Sequence, residues 1–267
     1  MQNFRTWFKF TAMPFDKDVD EKSLFRYTQI EELHQKIELA IESRTGILVT
    51  GQAGTGKTTG VRVYLEQLAT NSFRVIYLGN DQTGKSLFAR LAHEFGLKLN
   101  HSTSRMLQLT QYIKRHIQGS NKHLVLVVDE AHLLDWRTLE DIRLLTNSEM
   151  DRKSTMTLVL MGQLWLRNKL KSAGNEALYQ RMRFRYGLEG LSKKHTTEYI
   201  RQQLARVGCT RDLFTDGAYS MLFQASGGIL REINNLAVEA LVLAANQELQ
   251  KVDEKLMKLV VDQRETS

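Results

Sequence analysis

Between Gly46 and Thr59 the chain reads GILVTGQAGTGKTT, and no other run constrains its fold as tightly. The spacing is GxxxxGK[ST], with Gly51, Gly56, Lys57 and Thr58 at the fixed positions. An apolar run, Ile47, Leu48 and Val49, precedes the glycines, and the helix-forming VRVYLEQLA follows them. Strand, glycine loop and helix is the order that a phosphate-cradling P-loop needs. Glycines let successive backbone N–H groups curl around phosphate oxygens with no Cβ in the way, and the N-terminus of the helix adds favourable dipole charge. The expected nucleotide site is Gly51, Gln52, Ala53, Gly54, Thr55, Gly56, Lys57, Thr58 and Thr59. Within it, Lys57 would meet the β- and γ-phosphates and Thr58 would ligate Mg²⁺, so ATP and Mg²⁺ are the expected ligands.

A second apolar run, LVLVVDEAH, ends in Asp129 and Glu130. Placed at the C-terminal end of a central strand beside the P-loop strand, Asp129 would hold the Mg²⁺ shell and Glu130 would polarise the attacking water, as in a Walker B motif. His132 completes the letters DEAH, but the helical remainder of the chain has no room for the second nucleotide-binding domain of a helicase. A further strand ends in Met161 and Gly162, and from there Gln163 would reach the γ-phosphate as a sensor. The segment YQRMRFRYGLEGL places Arg181, Arg183 and Arg185 before and on the last strand, where one of them would enter the ATP of a neighbouring subunit. In SGGILREINNL, Arg231 opens a helix that would lie back over the nucleotide.

Hydrophobic periodicity orders the rest. Residues 1–45 form an N-terminal segment, aromatic at first (FRTWFKFTAMPF) and helical from Gln29 to Ile41, expected to lie on the ATPase core; Pro14, the only proline, breaks any early helix. Residues 46–190 alternate strands (73–79, 123–129, 155–162, 184–190) with helices (84–95, 102–117, 136–149, 163–171), the pattern of an α/β parallel sheet. From 191 to 267 the strands stop and helical apolar spacing continues, punctuated by Gly208 and the pair Gly227 and Gly228, which predicts a separate helical domain.

Composition narrows the function classes. Hydrophobic residues at 42% and charged residues at 25% are ordinary for a globular protein, and 267 residues suffice for a large domain with a smaller one. A net charge of +7 leans toward an acidic partner such as nucleic acid. Cys209 stands alone, which excludes a disulfide framework and a thiolate metal cluster. No apolar run has the length of a membrane span and the start has no signal-peptide core, so no membrane contact and a cytoplasmic location are expected.

The P-loop, the DEAH-type Walker B, the strand ending in GQ, the QR before the last strand and the GGxxR of the helical part together resemble an AAA+ ATPase of the ExeA-like group. That group is similar both to the ATPase domain of the secretion protein ExeA and to transposition helper ATPases of the TnsC and Mu B kind. The resemblance runs from about Met13 to about Ala245 and implies a three-layer α/β P-loop domain with a parallel sheet, followed by an all-helical lid. It further implies that Lys57 and Thr58 bind phosphate and Mg²⁺, and that Asp129 and Glu130 do the Walker B work. By the same resemblance Gln163 is sensor 1, Arg181 the arginine finger and Arg231 sensor 2. Two departures stand out: sensor 1 is Gln rather than Asn, Ser or Thr, and three arginines compete for the finger.

The function implied is an ATP-dependent, DNA-binding regulator of transposition that oligomerises as a ring or filament on double-stranded DNA and recruits a transposase, with hydrolysis driving disassembly. An ExeA-type secretion ATPase is the alternative, the longer form of which would carry further regions after Ser267. A helicase loader or a nucleotide switch acting as a scaffold is a third. DNA contacts would be to phosphates, with Lys85, Lys98, Arg105, Lys114 and Arg115 as candidates.

Overall fold

The computed structural model describes residues 3–16, 19–79, 84–97, 109, 111–113, 115, 119–146, 156–172 and 174–265, with backbone alone for 84–86 and 265. Two compact units emerge, one of residues 28–51 and 57–188 and the other of residues 1–27, 52–56 and 189–267.

The first unit is a sheet wrapped by helices. Its elements are α2 (Thr28–Glu42), β1 (Gly46–Gly51), α3 (Lys57–Glu66), β2 (Phe73–Leu78), α4 (Gly84–Glu94), β3 (His123–Val128), α5 (Trp136–Thr146), β4 (Met156–Gly162), α6 (Trp165–Lys171), α7 (Glu176–Arg181) and β5 (Phe184–Leu188), α1 being the short Phe4–Phe8 helix of the other unit. The five strands run in the order β2-β3-β4-β1-β5, and every neighbouring pair is parallel. β1 and β4 are buried at every position and β3 at all but its first, whereas the edge strands β2 and β5 are partly exposed. That is the burial a parallel sheet shows when helices cover both faces.

Alternation of side chains along the strands divides the core in two. On one face Leu48, Leu126, Leu158 and Leu160 join a single cluster with Leu91 of α4, Ile142 of α5, Leu170 of α6 and Leu178 of α7. On the other face Thr157 of β4 donates to the carbonyl of Ala40 in α2, 3.3 Å away. α2 and α3 meet each other on that face, where Gly60 admits Ile30 and Leu33 (a Cβ would stand 3.0 and 3.3 Å from them) and its carbonyl lies 2.9 Å from Nε2 of His34. The three layers are therefore helices, sheet and helices.

One expectation fails here. Asp129 follows a strand that was placed beside β1, but β4 lies between β3 and β1. Both candidates are largely apolar and buried, and periodicity carries no information about which of two buried strands takes the centre. α7 was not anticipated either: its six residues are too few to show a period, and Asn175 ahead of it makes no side-chain cap. Most of the helix expected over 102–117 lies outside the described residues, although Leu109 and Ile113 are fully buried in the same core.

The second unit is helical. It contains α1, α8 (Lys193–Arg206), α9 (Asp216–Ser226), α10 (Leu230–Asn246) and α11 (Glu254–Glu265), with α9, α10 and α11 packed against one another. Ser192 and Thr215 cap α8 and α9 by accepting from the backbone N–H of His195 and Ala218. Gly228, at φ +75°, lies so close to Leu191 that a Cβ would stand 2.1 Å from its carbonyl oxygen, and only glycine fits there. The aromatic N-terminal residues, expected on the ATPase core, belong to this unit instead. Trp7 donates from Nε1 to the carbonyl of Leu249 at 2.9 Å, and the Thr11 N–H donates to the carbonyl of Val207. The Phe25 ring meets Tyr199 edge-on, with centroids 5.6 Å apart. Residues 1–45 thus divide after Tyr27, because the aromatic run finds its apolar partners among the helices while α2 finds its own on β1 and β5.

Candidate nucleotide site

In a parallel sheet the C-terminal strand ends share one edge. Register sets Thr50 of β1 level with Gly162 of β4, and Val128 of β3 level with Leu160 of β4. The P-loop, Asp129 and Gln163 therefore leave the sheet side by side, and Gln163 stands between the two Walker segments because β4 does.

The loop itself has the conformation its glycines predict. Gly54 and Gly56 sit at φ +84° and +91°, a region that side chains with a Cβ avoid. Thr55 is buried and donates from Oγ1 to the carbonyl of Gln52 at 2.9 Å. α3 begins at Lys57, so its unsatisfied N–H groups face the loop. The Lys57 ammonium, 5% exposed, donates to the carbonyl of Gly51 at 2.9 Å. Thr58 is exposed, and its Oγ1 donates across 71 residues of sequence to Oδ2 of Asp129 at 2.7 Å. Among the described residues no cluster of three His, Cys, Asp or Glu could hold a metal by itself. The oxygen pair from Thr58 and Asp129 nevertheless fits Mg²⁺, which binds through a few protein oxygens together with phosphate; two adjacent ligands at about 2.1 Å from the ion stand about 3 Å apart.

Around Asp129 lies a contact the sequence did not disclose. The hydroxyl of Tyr77, near the end of β2, donates to the same Oδ2 at 2.8 Å. Burial, reinforced by that hydrogen bond, pushes the Tyr77 hydroxyl pKa above its ordinary value, so the bond persists across the physiological range. The signal was only that the edge strand FRVIYL carries a tyrosine one residue before its end.

Glu130 has φ +51°, a left-handed conformation for a residue with a full side chain. Its backbone N–H is held by Oδ1 of Asp129 at 2.8 Å, and its Oε2 lies 3.3 Å from Nδ1 of His132. His132 is 2% exposed, and burial pushes its pKa below the usual imidazole value. Lys169 of α6 donates to the carbonyls of His132 and Leu134, fixing the turn that carries the ring.

The remaining predicted residues divide by location. Arg231 is the second residue of α10; its backbone N–H donates to the carbonyl of Gly54 at 3.2 Å, and a Cβ on Gly54 would stand 2.7 Å from its own. Glu232 and Glu239 are engaged by Arg264. Arg181 ends α7, just before β5, and so stands at the opposite edge of the sheet from the P-loop, roughly one strand length or about 17–20 Å away. Its Nη1 donates to the Arg143 carbonyl and to Oγ1 of Thr146 at the end of α5. Arg183 lies over the Phe184 ring and Arg185 over that of Tyr179, 4.0 Å from its centroid. Of the candidate DNA contacts, Lys98, Arg105 and Lys114 lie outside the described residues, Lys85 has no described side chain, and Arg115 is exposed.

The fold is that of the P-loop AAA+ proteins: a parallel sheet in the order β2-β3-β4-β1-β5, a glycine loop and the acid pair Asp129 and Glu130 at its C-terminal edge, and a helical C-terminal part. The model of an AAA domain family matches residues 40–170. Over 245 residues the chain is 34% identical to general secretion pathway protein A of Aeromonas hydrophila, covering 90% of this chain. It spans 45% of the length of that relative. Solved structures share the fold at lower identity. Cdc6p of Pyrobaculum aerophilum superposes with a TM-score of 0.69 at 15% identity over 89% of this chain and 67% of that one. The Aeropyrum pernix ORC1 protein in complex with DNA gives 0.68 at 13% identity, covering 91% and 67%. The RuvB Holliday junction branch migration motor of Thermotoga maritima gives 0.52 at 17% identity, covering 87% and 68%. No helix among the described residues is long and apolar enough to cross a membrane.

Proposed function

We propose that this chain is a Mg²⁺-dependent ATPase that works as a nucleotide-driven switch. The observation that carries the proposal is the 2.7 Å contact between Thr58 Oγ1 and Asp129 Oδ2, two oxygens brought together at the mouth of a glycine loop. Mg²⁺, when bound there, neutralises charge on the β- and γ-phosphates. Lys57 gives up the Gly51 carbonyl for phosphate oxygens, and the N–H groups of the loop and of α3 orient the triphosphate. Glu130 orients the water that attacks the γ-phosphorus, and Gln163 marks the presence of the γ-phosphate from the end of β4.

Arg181 cannot reach the nucleotide of its own subunit from the far edge of the sheet, so in this reading it serves a neighbour in a ring or filament. Arg181→Ala then lowers ATPase activity while ATP binding by the isolated subunit stays intact. Mixing it with the Lys57→Ala protein restores part of the activity, since some interfaces regain a whole site; no recovery at any mixing ratio removes Arg181 from the mechanism.

For the partner, we carry the reading of a cytoplasmic regulator of transposition that assembles on double-stranded DNA and engages a transposase. The net charge of +7 supports it. A second reading, a secretion-associated ATPase, is favoured by the 34% identity over 90% of the chain to general secretion pathway protein A. Anisotropy on random duplexes with ATP, with ADP and across a salt series separates them. Assembly on DNA makes affinity depend on ATP and fall steeply between about 50 and 200 mM salt, with little regard to sequence. Affinity indifferent to ATP, or absent even at low salt, removes the DNA reading and leaves the secretion one.

A further inference from the structure

His132 is the buried titratable group that the hydrolytic scheme does not use. Its Nδ1 has two neighbours, Oε2 of Glu130 at 3.3 Å and the backbone N–H of Gln163 with N at 3.4 Å. The approach is built into the fold: a Cβ on Gly162, the last residue of β4, would stand 3.1 Å from Nδ1 and 3.3 Å from the His132 nitrogen, so a side chain there would push the ring off the strand. Trp165 closes the site from α6, its ring T-shaped to the imidazole with centroids 4.8 Å apart.

The two contacts demand opposite states of one atom. A carboxylate needs a proton on Nδ1, whereas a backbone N–H needs the lone pair there. A neutral imidazole satisfies one or the other according to tautomer. We propose that His132 is a positioning residue for ATP hydrolysis, whose Nδ1 turns from the Glu130 carboxylate to the N–H of Gln163 and so makes the orientation of the base follow the end of β4. With the proton on Nδ1, Glu130 is drawn to the ring and away from water. With the proton on Nε2, Nδ1 accepts from Gln163 and Glu130 is released. A shift at the end of β4 is thereby converted into a change at Glu130. The inference rests on the assignment of Glu130 as the water-orienting group.

The charges facing the ring are Glu130 and Asp129 from the end of β3 and the turn after it, Lys57 from the head of α3, and Lys169 from α6. Acid adds a second proton, which leaves Nδ1 permanently protonated and Glu130 permanently held; kcat therefore declines on the acid side as the imidazole charges.

The test measures kcat, ATP affinity and thermal melting between about pH 5 and 8, where an imidazole changes charge. The proteins are the parent, His132→Phe, His132→Asn and Glu130→Gln. His132→Phe cannot hold Glu130, so it is expected to turn over at neutral pH at least as fast as the parent and to lose the decline of kcat on the acid limb, with ATP affinity and melting close to those of the parent. His132→Asn has an amide that donates to Glu130 without titrating, which holds the carboxylate away from water at every pH; its kcat is expected to fall by about 10- to 100-fold, the scale on which a group misplaced by about 1 Å acts, with no imidazole inflection. The inference is overturned if His132→Phe keeps the parent's acid limb, if His132→Asn turns over like the parent, or if the ATP affinity of His132→Asn falls in step with its kcat. Should His132→Phe fail to fold, the pH profile of His132→Asn decides alone. Glu130→Gln separates the two claims: full turnover in that variant overturns the assignment of Glu130 itself, while an inactive Glu130→Gln beside indifferent His132 variants overturns only the coupling.

Discussion

Lys57→Ala loses ATP affinity by on the order of 100-fold, about 3 kcal/mol, because charge-assisted hydrogen bonds to phosphate contribute about 1.5–3 kcal/mol each and the backbone cradle cannot replace them. The side chain is 5% exposed and tied to the carbonyl of Gly51, so the ammonium is already held at the loop before phosphate arrives. Little rotamer freedom remains to be lost on binding, which adds to the contribution of the residue. Titration with a fluorescent ATP analogue measures the effect, with a melting curve to show that the sheet survives. ATP affinity equal to that of the parent would mean that the glycine loop holds something other than a triphosphate.

Glu130→Gln gives the opposite phenotype. The amide keeps the size of the side chain and removes the charge that orients water, so kcat falls by about 10²–10⁴-fold while ATP affinity stays within about threefold of the parent. Thr58 and Asp129 are untouched, and the ATP-bound form accumulates instead of turning over. Single-turnover hydrolysis with protein in excess gives the rate of the chemical step directly; a rate equal to the parent's would move the base to another residue. The two variants also differ in any assembly that needs bound ATP, which Lys57→Ala forfeits and Glu130→Gln prolongs.

The Walker segments were legible because each rests on local chemistry. Gly56 stands at a position fixed by the spacing, and it and Gly54 both take positive φ in the loop. Asp129 and Glu130 were legible because LVLVVD is a strand buried on both faces, and acids can end such a strand only where it leaves the core. The pair Gly227 and Gly228 was visible as punctuation, although not the reason for its second member: the carbonyl of Leu191 occupies the space where a Cβ of Gly228 would stand.

What the sequence by itself determined is most of the elements and the spacing that marks the glycine loop and the acid pair Asp129 and Glu130, since these follow from period, spacing and the conformational needs of single residues. The tertiary structure alone decided which strands are neighbours. It put β4 between β1 and β3, and that placement brings Gln163 between the two loop segments and seats His132 against Gly162. It also brought Tyr77 to Asp129 across 52 residues and drew the aromatic N-terminal run to the helical unit. The physical reason is the same in each case: burial is non-directional, so an apolar run specifies that it will be covered without specifying by what, and the partner emerges only when all the runs compete for one interior.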